Sequence, residues 1–347
     1  MYNEKILVAG AGAIGSLFGG LLSRSGYNVT LIDSWMEHVR KIDQKGLELS
    51  APDSHTRARI KALNPESLMH IDAKPDIVLL AVKSYDTQTM LEMLRPLLVS
   101  NHPLIVSCQN GVHEETIAVS AGREATLGCV ISFGAVLEGP GHVRQLNNEG
   151  RLIIGQFDGG ISKAVKLKQI FSSITHTEVT GNLMGHRWSK LALNCMGNPL
   201  LALSGYTAQE LYQEPRARKV MIKLVAELVR AGEACGVVLE PIVELNPELW
   251  KKADHNPVPD VEHALDVMGK KLGGSRSSMV HDLNTGRPTE IEFLNGYVAS
   301  KARENGVEAP CNQAVTDLIH KLSRGEIEPG PDLLDLLTDC STMGSIP

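Results

Sequence analysis

The sequence lacks an excess of basic charge, closely spaced cysteines and hydrophobic runs of membrane-spanning length. The formal net charge is −6 and no Lys/Arg cluster occurs, which argues against a general nucleic-acid binder. The six cysteines show no C-x-x-C spacing, so we expect mostly reduced core thiols rather than disulfides or a metal site. The apolar run near the N-terminus follows Glu4 and contains turn glycines, so we assign it to the fold and not to a signal peptide. We therefore expect a cytoplasmic protein with no membrane partner.

The length and composition are those of a two-domain globular enzyme. The chain has 347 residues, of which 43% are hydrophobic and 21% charged. Strand-like runs end near Gly181 and long helical patterns follow, without internal repeats or low-complexity tracts. We predict a first domain at 1–181 and an all-helical second domain at 182–347.

A glycine-rich turn follows the first apolar run. The turn reads Gly10-Ala11-Gly12-Ala13-Ile14-Gly15 and has the G-x-G-x-x-G form, after a predicted strand and at the start of a predicted helix. Gly10 permits the tight turn, Gly12 lets the backbone approach a pyrophosphate, and Gly15 permits close helix–strand packing. The N-terminal N–H groups of the helix then face the phosphate charge. All six residues are candidate dinucleotide-binding residues, and a glycine-rich turn in another kind of α/β protein is the alternative.

Asp33 closes the second predicted strand, at 28–32. A carboxylate at this position accepts hydrogen bonds from the adenosine ribose hydroxyls and repels a 2′-phosphate. Neighbouring Ser34 offers no positive charge, although Arg40 and Lys41 on the next helix are alternative phosphate ligands. Asp33 also suits an acidic cap for the helix from Trp35. The residues favour NAD over NADP.

Buried strands alternate with helices through the first domain. We predict strands at 76–82, 103–107 and 125–131, helices at 84–99 and 114–121, and a hairpin turn at 139–143 with 151–155 as its returning strand. This alternation predicts an α/β fold with a doubly wound, mostly parallel sheet, in which the strands after Cys129 run antiparallel. For the second domain we predict helices at 185–203, 209–235, 261–271, 276–283, 290–304 and 313–323.

Two turns carry polar side chains at the ends of predicted strands. Lys83 follows the strand at 76–82, and Asn110 follows the strand at 103–107. Ligands of open α/β sheets bind outside the carboxyl ends of the strands, so both side chains are candidates for nicotinamide ribose, pyrophosphate or substrate carboxylate. A solvated lysine and an ordinary turn asparagine before Gly111 are the alternatives.

One helix of the second domain carries an unusual polar face. Lys190, Asn194 and Asn198 are spaced four residues apart, which places an ammonium and two amides on one face. Asparagine is a poor helix former, and solvated stripes favour Glu, Lys and Arg, so a cleft wall fits better than a solvated stripe. We expect Pro199 to disturb this helix beside Asn198.

A second polar group lies at 276–292. We interpret Thr289 and Glu292 as a capping box, which leaves Glu290 free of that role at the start of the predicted helix. Ser278 is a candidate hydroxyl ligand for an anionic substrate. Ordinary capping for Ser278 and a helix-dipole interaction for Glu290 are the structural alternatives.

Together these motifs resemble the ketopantoate reductases (2-dehydropantoate 2-reductases). The resemblance spans nearly the whole chain in family order, and its most specific element is K-L-x-x-N-x-x-x-N-P at 190–199. The other matching elements are GAGAIG, V-K-S, Q-N-G, S-S-M-x-x-D at 277–282 and R-x-T-E-I-E at 287–292. The resemblance implies a Rossmann domain, a helical domain, an active site in the cleft between them, and a role in pantothenate biosynthesis. It also suggests a monomer or homodimer.

The family's site residues map onto matching positions of this chain. By resemblance, Lys190 is the general acid for the carbonyl oxygen, and Glu290 orients the substrate hydroxyl and the proton network. Asn194 and Asn198 contact substrate hydroxyls, and Ser278 contacts the substrate carboxylate. Asn110 is similar to the family residue that bridges cofactor and substrate. Burial lowers a lysine pKa and a nearby carboxylate raises it, and the sequence leaves this balance open.

The chain departs from the family at Asp33-Ser34, where NADPH-dependent members commonly carry a basic residue. We therefore expect NAD, with NADP implied by the resemblance, and a keto or hydroxy acid as substrate. The leading interpretation is reduction of 2-dehydropantoate to pantoate. The alternatives are an NAD-dependent dehydrogenase of another hydroxy acid, for which the extra stretch at 246–260 would reshape the pocket, and a non-catalytic NAD-binding regulator.

Overall fold

Two units make up the chain, Met1–Leu183 and Met184–Pro347. A computed structural model describes residues 3–70, 74–147, 150–338 and 340. Over these ranges no helix is both long and apolar enough to span a membrane.

The first unit contains two β-sheets with helices packed on them. Its described strands are β1 Lys5–Ala9, β2 Asn28–Ile32, β3 Leu47–Ala51, β4 Ser54–Ala58, β5 Lys61–Leu63, β6 Ile77–Leu80, β7 Leu104–Ser107, β8 Thr126–Ile131, β9 Ala135–Gly139, β10 His142–Gln145, β11 Arg151–Gln156 and β12 His176–Thr180. Its α-helices are α1 Ala13–Arg24, α2 Met36–Lys45, α3 Thr87–Asn101, α4 Glu114–Ala121 and α5 Ser162–Phe171. Short 3-10 helices occupy Pro65–His70, Ser84–Asp86 and Arg123–Ala125.

The larger sheet has the strand order β12-β11-β8-β7-β6-β1-β2-β5. From β5 to β8 all neighbouring strands are parallel, which is the order of a dinucleotide-binding doubly wound fold. Strand β11 then pairs antiparallel with β8 and parallel with β12. The predicted α/β fold class is confirmed, as is the antiparallel pairing after Cys129.

Both faces of the larger sheet are covered, which explains why its strands read as continuous apolar runs. Ile6 and Val8 of β1 belong to one hydrophobic cluster, whereas Leu7 and Ala9 belong to another. Successive side chains of a strand point to opposite faces, so both faces contact a core. Burying one such side chain contributes roughly 1.5–3 kcal/mol.

The predicted hairpin is partly wrong. The turn at 139–143 connects β9 and β10, which pair antiparallel, whereas 151–155 lies in β11 of the other sheet. The hairpin belongs to a smaller sheet of order β4-β3-β10-β9 that the sequence analysis missed. Short, largely polar strands such as β4 give little apolar alternation, and strand β12 and helix α5 were missed as well.

The second unit is helical, as predicted. Its α-helices are α6 Leu183–Ser204, which begins at the boundary, α7 Ala208–Gln213, α8 Pro215–Ala234, α9 Pro247–Ala253, α10 Pro259–Leu272, α11 Ser278–Asn284, α12 Asn295–Glu304, α13 Pro310–Ser323 and α14 Asp335–Thr338, with 3-10 helices at Ile291–Phe293 and Pro331–Leu334. The predicted helix at 209–235 is two helices. The break falls at Glu214, whose side chain caps α8 by accepting from the Arg216 N–H, with Pro215 at the first helical position.

The cysteines follow the sequence expectation with one exception. Cys108, Cys129 and Cys195 are free and buried, and Cys235 is free and partly buried. Cys311 and Cys340 form a disulfide, which corrects the expectation for this pair. Their separation of 29 residues gave no spacing signal.

Candidate active site

The candidate cofactor residues meet at one edge of the larger sheet. Strands β2, β1, β6 and β7 are parallel neighbours, so their carboxyl ends share that edge. Backbone hydrogen bonds extend this pairing past the strand ends: Gly10 N donates to Ile32 O at 2.9 Å, Ala81 N to Ala9 O at 2.8 Å, and Cys108 N to Leu80 O at 2.9 Å. The glycine turn, Asp33, Lys83 and Asn110 therefore follow adjacent strands. The strand order reverses between β1 and β6, where such sheets bind ligands.

The three glycines of the turn have different surroundings. Gly10 has φ +98°, and a Cβ there would lie 2.6 Å from the Val82 nitrogen. A Cβ at Gly15 would lie 1.9 Å from the Gly10 carbonyl oxygen. A Cβ at Gly12 would meet no protein atom within 4 Å. Gly10 and Gly15 are therefore required by the fold of the turn, whereas Gly12 faces open space where a phosphate can approach the backbone.

The Asp33 carboxylate stands directly beside the glycine turn. Its Oδ2 accepts from the Ala11 N–H at 2.6 Å, and its Oδ1 accepts from the Trp35 N–H at 2.8 Å, the local contact expected of a cap. A carboxylate has lone pairs for further donors, so both interpretations of Asp33 are compatible. Burial, and then the charge of Asp33, raise the pKa of Asp86. The carboxyl groups of Asp33 and Asp86 thus share this edge. The aliphatic stem of Lys41, one of the alternative phosphate ligands, lies against Gly141.

A buried polar relay supports the glycine turn, and the sequence analysis missed it. Gly141 N donates to His38 Nδ1 at 2.9 Å, so the proton of the neutral ring is on Nε2, 3.0 Å from Ser16 Oγ. Ser16 Oγ donates to the Ala11 carbonyl at 2.7 Å. Burial lowers the pKa of His38, which favours this neutral form. The relay connects the turn between β9 and β10 of the smaller sheet to the glycine turn.

The loops that carry Lys83 and Asn110 are joined by two further side chains that the sequence analysis also missed. Gln109 Nε2 donates to Val82 O at 3.0 Å and to Thr87 Oγ1 at 2.8 Å. His113 Nε2 donates to the Asn110 carbonyl at 2.8 Å and lies 3.0 Å from Ser84 Oγ. Gln109 and His113 are buried, whereas Asn110 is exposed. Three of these four contacts join residues more than twenty positions apart, so sequence spacing gave no signal for Gln109 and His113.

In the second unit, the polar face of α6 has the predicted composition. Lys190 and Asn198 are half-buried and Asn194 is 7% exposed, so this face is not a solvated stripe. Burial lowers the pKa of the Lys190 ammonium from its ordinary value, and no other cause contributes. Of the two opposing effects on the Lys190 pKa that the sequence left open, burial therefore outweighs a nearby carboxylate. A lysine with a lowered pKa is a candidate proton donor at working pH.

Helix α6 continues through Pro199 because another residue replaces the missing hydrogen bond. In a regular helix the N–H of residue 199 would donate to the carbonyl of Cys195, and proline has no N–H. Asn295 Nδ2 donates to that carbonyl at 3.3 Å and to Asn312 Oδ1 at 3.0 Å. Asn312 in turn donates to the buried Glu227 carboxylate at 2.8 Å. The disturbance predicted at Pro199 is thus confined to the Cys195 carbonyl, and a network of buried amide side chains supplies the hydrogen bond that this carbonyl would otherwise lack.

We expect Asn295→Ala to destabilise the second unit by about 2 kcal/mol, because the buried Cys195 carbonyl loses its partner. Urea denaturation followed by the fluorescence of buried Trp188 and Trp250 measures the change. Pro199→Ala supplies a backbone N–H to the same carbonyl. It should therefore recover roughly 1 kcal/mol in the Asn295→Ala background. If Asn295→Ala lowered the free energy of unfolding equally in the wild-type and Pro199→Ala backgrounds, this account would be contradicted.

The residues at 277–292 are only partly as predicted. Ser277, not Ser278, caps α11 and donates to the Asn198 carbonyl at 3.1 Å, which joins this segment to α6. Ser278 is exposed and begins α11. Glu290 is 7% exposed and lies at the N-cap of the 3-10 helix.

The capping box proposed for Thr289 and Glu292 is wrong. The Glu292 carboxylate contacts His320 Nε2 at 2.6 Å instead. The segment begins a 3-10 helix, and α12 follows only from Asn295. Thr207 and Glu210 form a capping box at the start of α7.

Comparison with known proteins identifies the family. Residues 6–159 match ketopantoate reductase PanE/ApbA, and residues 182–323 match the C-terminal part of the same family. A 2-dehydropantoate 2-reductase of Pyrococcus abyssi is 30% identical over 91% of this chain and 96% of its own length.

Two solved structures share the fold over almost their whole length. D-mandelate dehydrogenase with NADH and anilino(oxo)acetate has a TM-score of 0.80 at 26% identity, covering 92% of this chain and 99% of its own. A PanE/ApbA family ketopantoate reductase from Ralstonia eutropha JMP134 has a TM-score of 0.79 at 28% identity, covering 93% and 99%. The chain therefore belongs to the ketopantoate reductase family and is an NAD(P)-dependent oxidoreductase like the 2-dehydropantoate 2-reductases.

Proposed function

We propose that this protein reduces 2-dehydropantoate to pantoate, with NADH preferred to NADPH. Residues 1–181 form the cofactor domain and residues 182–347 the substrate domain in this proposal. The observation that carries it is the α6 face, where a lysine with a lowered pKa precedes two partly or fully buried asparagines. Membership in the ketopantoate reductase family supports the substrate class.

The sheet edge suits a dinucleotide. The open space at Gly12 and the N–H groups that begin α1 would hold the pyrophosphate, with Ala11, Ala13 and Ile14 completing the turn. Asp33 would accept from the adenosine ribose hydroxyls. Lys83 and Asn110 follow the two neighbouring strands and would contact the nicotinamide half. Bound there, the dinucleotide supplies the hydride that adds to the substrate carbonyl carbon.

The candidate residues of the second unit have separate roles in proton transfer and in substrate binding. Hydride addition makes the carbonyl oxygen an alkoxide, and the Lys190 ammonium stabilises this charge and gives it a proton. The resulting amine regains a proton from solvent. Glu290 orients the substrate hydroxyl, Asn194 and Asn198 donate to substrate oxygens, and Ser278 binds the carboxylate.

We expect the purified protein to reduce 2-dehydropantoate with a higher kcat/KM for NADH than for NADPH. The carboxyl groups of Asp33 and Asp86 make the sheet edge unfavourable for a 2′-phosphate. A tenfold preference corresponds to about 1.4 kcal/mol. Initial rates with both cofactors measure the ratio. Negligible turnover of 2-dehydropantoate with both cofactors would disprove the proposed substrate.

Asp33→Asn should reduce the preference for NADH over NADPH, measured as the ratio of the two kcat/KM values. The substitution removes the negative charge but keeps one side-chain oxygen that accepts from the Ala11 N–H. The matched control is Asp43→Asn on α2, an exposed site with the same change of charge. A ratio that changes equally in both variants would count against a role for Asp33 in cofactor choice.

An NAD-linked dehydrogenase of another hydroxy acid is the second candidate. It is favoured by the fold shared with D-mandelate dehydrogenase, whose structure holds NADH, and by the acidic sheet edge. Rates of oxidation of a set of 2-hydroxy acids with NAD, compared with pantoate, separate the two functions.

A further inference from the structure

A group of metal-ligating side chains lies on the smaller sheet, whereas the residues assigned to the cofactor follow strands of the larger sheet. Glu48 is on β3, His55 on β4 and His142 on β10, and one ligand atom from each lies within 4.8 Å of the other two. His55 Nε2 is 2.5 Å from Glu48 Oε1. Glu48 and His55 are seven residues apart, but His142 lies 87 residues beyond His55, so no local spacing motif indicated the group.

Strand register explains why these side chains converge. His142 is directly opposite Glu48, and His55 is directly opposite Ser50, two residues further along β3. Alternation along β3 places Glu48 and Ser50 on the same face, so all three ligands point to that face. The other face carries buried apolar residues, among them Leu49 and Val143. The convergence is thus built into the pairing of three strands.

We propose that Glu48, His55 and His142 bind one divalent transition-metal ion of the zinc class, which connects β4, β3 and β10. Two imidazoles and one carboxylate are a donor set that such ions accept, with water completing the coordination. Bonds of about 2.1 Å place tetrahedral ligand atoms about 3.4 Å apart, and the ligand atoms of this cluster lie within 4.8 Å of one another.

The charges around the cluster suit a metal bonded to only one oxygen of the Glu48 carboxylate. Arg57 Nη2 lies 3.4 Å from Glu48 Oε2, so we assign Oε1 to the metal, which would replace the contact between Oε1 and His55 Nε2. His142 Nε2 is 2.8 Å from Ser50 Oγ, a contact that the metal would replace. Because the positive charge of Arg57 repels a cation, we expect the site to bind the metal more weakly than it would without Arg57.

Zinc titration of the full-length chain, without an affinity tag, tests the site. Competition with a chromophoric chelator should give one Zn²⁺ per chain, with affinity reduced roughly tenfold or more by His55→Ala or His142→Ala. Co²⁺ should give visible absorption bands in the wild-type protein that are lost in His142→Ala. Zn²⁺ should also raise the melting temperature of the wild-type protein but not of these variants.

Two controls separate this site from other metal-binding groups. His176→Ala removes an exposed histidine paired with Glu178 on β12 and should leave the affinity for Zn²⁺ unchanged. Cys235→Ser excludes binding by a partly exposed free thiol. Circular dichroism of metal-free variants confirms that they fold. No binding by the wild-type protein, or equal binding by wild type and the His55→Ala/His142→Ala double variant, would overturn the proposal.

Discussion

Lys190→Ala is expected to lower kcat for keto-acid reduction by about 10²- to 10⁴-fold, the usual contribution of a positioned general acid. The loss follows because no other ammonium on the α6 face can neutralise the alkoxide. The affinity for NADH should not change, since the residues proposed to bind the cofactor belong to the first unit. Steady-state rates and a fluorescence titration with NADH measure the two quantities on the same samples.

The matched control is Lys219→Ala on α8, which removes an exposed lysine of the same unit. It should keep wild-type kcat. Equal turnover by Lys190→Ala and the wild type would refute the role of Lys190 as proton donor. If the wild type turned over no hydroxy or keto acid but still bound NAD, a non-catalytic regulator would be the better description.

The lowered pKa of Lys190 also predicts a sign for the pH dependence. In the proposed mechanism reduction needs the ammonium form of Lys190, so the rate of reduction should fall as pH rises through the pKa of Lys190. Because burial lowers that pKa below its ordinary value, the fall should begin at lower pH than for an exposed lysine. Oxidation needs the neutral amine and should rise over the same range.

Local sequence signals predicted those parts of the fold that local physics determines. The glycine turn, the parallel strands and the polar face of α6 each have a fixed spacing, and all three occur where the spacing indicated. The smaller sheet was missed because β10 pairs with β3 across about ninety residues, and short polar strands show no apolar period. Long-range pairing of this kind has no local signature.

The candidate site shows the same division. Lys190, Asn194 and Asn198 were proposed as site residues because a polar face on an apolar helix violates an ordinary pattern. Asn295, Gln109 and His113 were missed because each looks unremarkable in sequence. Their roles depend on the carbonyl or hydroxyl that the fold brings beside them. Thr289 and Glu292 matched a capping box by spacing alone, but the helix that would have needed it does not start there.

The glycine turn gives the second large expected effect, and Gly12 is the position at which to measure it. Gly15→Ala would clash with the Gly10 carbonyl and damage the turn itself, so its loss of cofactor binding would be ambiguous. Gly12 has φ −62°, which alanine adopts, and open space where a Cβ would stand. Gly12→Ala should therefore fold with an unchanged melting temperature. It should nevertheless bind NAD at least about tenfold more weakly, equivalent to about 1.4 kcal/mol.

The reason for this separation is that the added methyl group interferes only with a ligand that needs the same space. Gly139→Ala is the matched control, because this glycine also has open space, lacks a positive φ and lies at the end of β9 in the smaller sheet. Calorimetric titration measures the NAD affinity, and thermal melts of the wild type and both variants measure whether each protein folds. Wild-type NAD affinity in a folded Gly12→Ala protein would mean that the pyrophosphate does not approach this backbone. In that event the glycine spacing would serve only helix–strand packing.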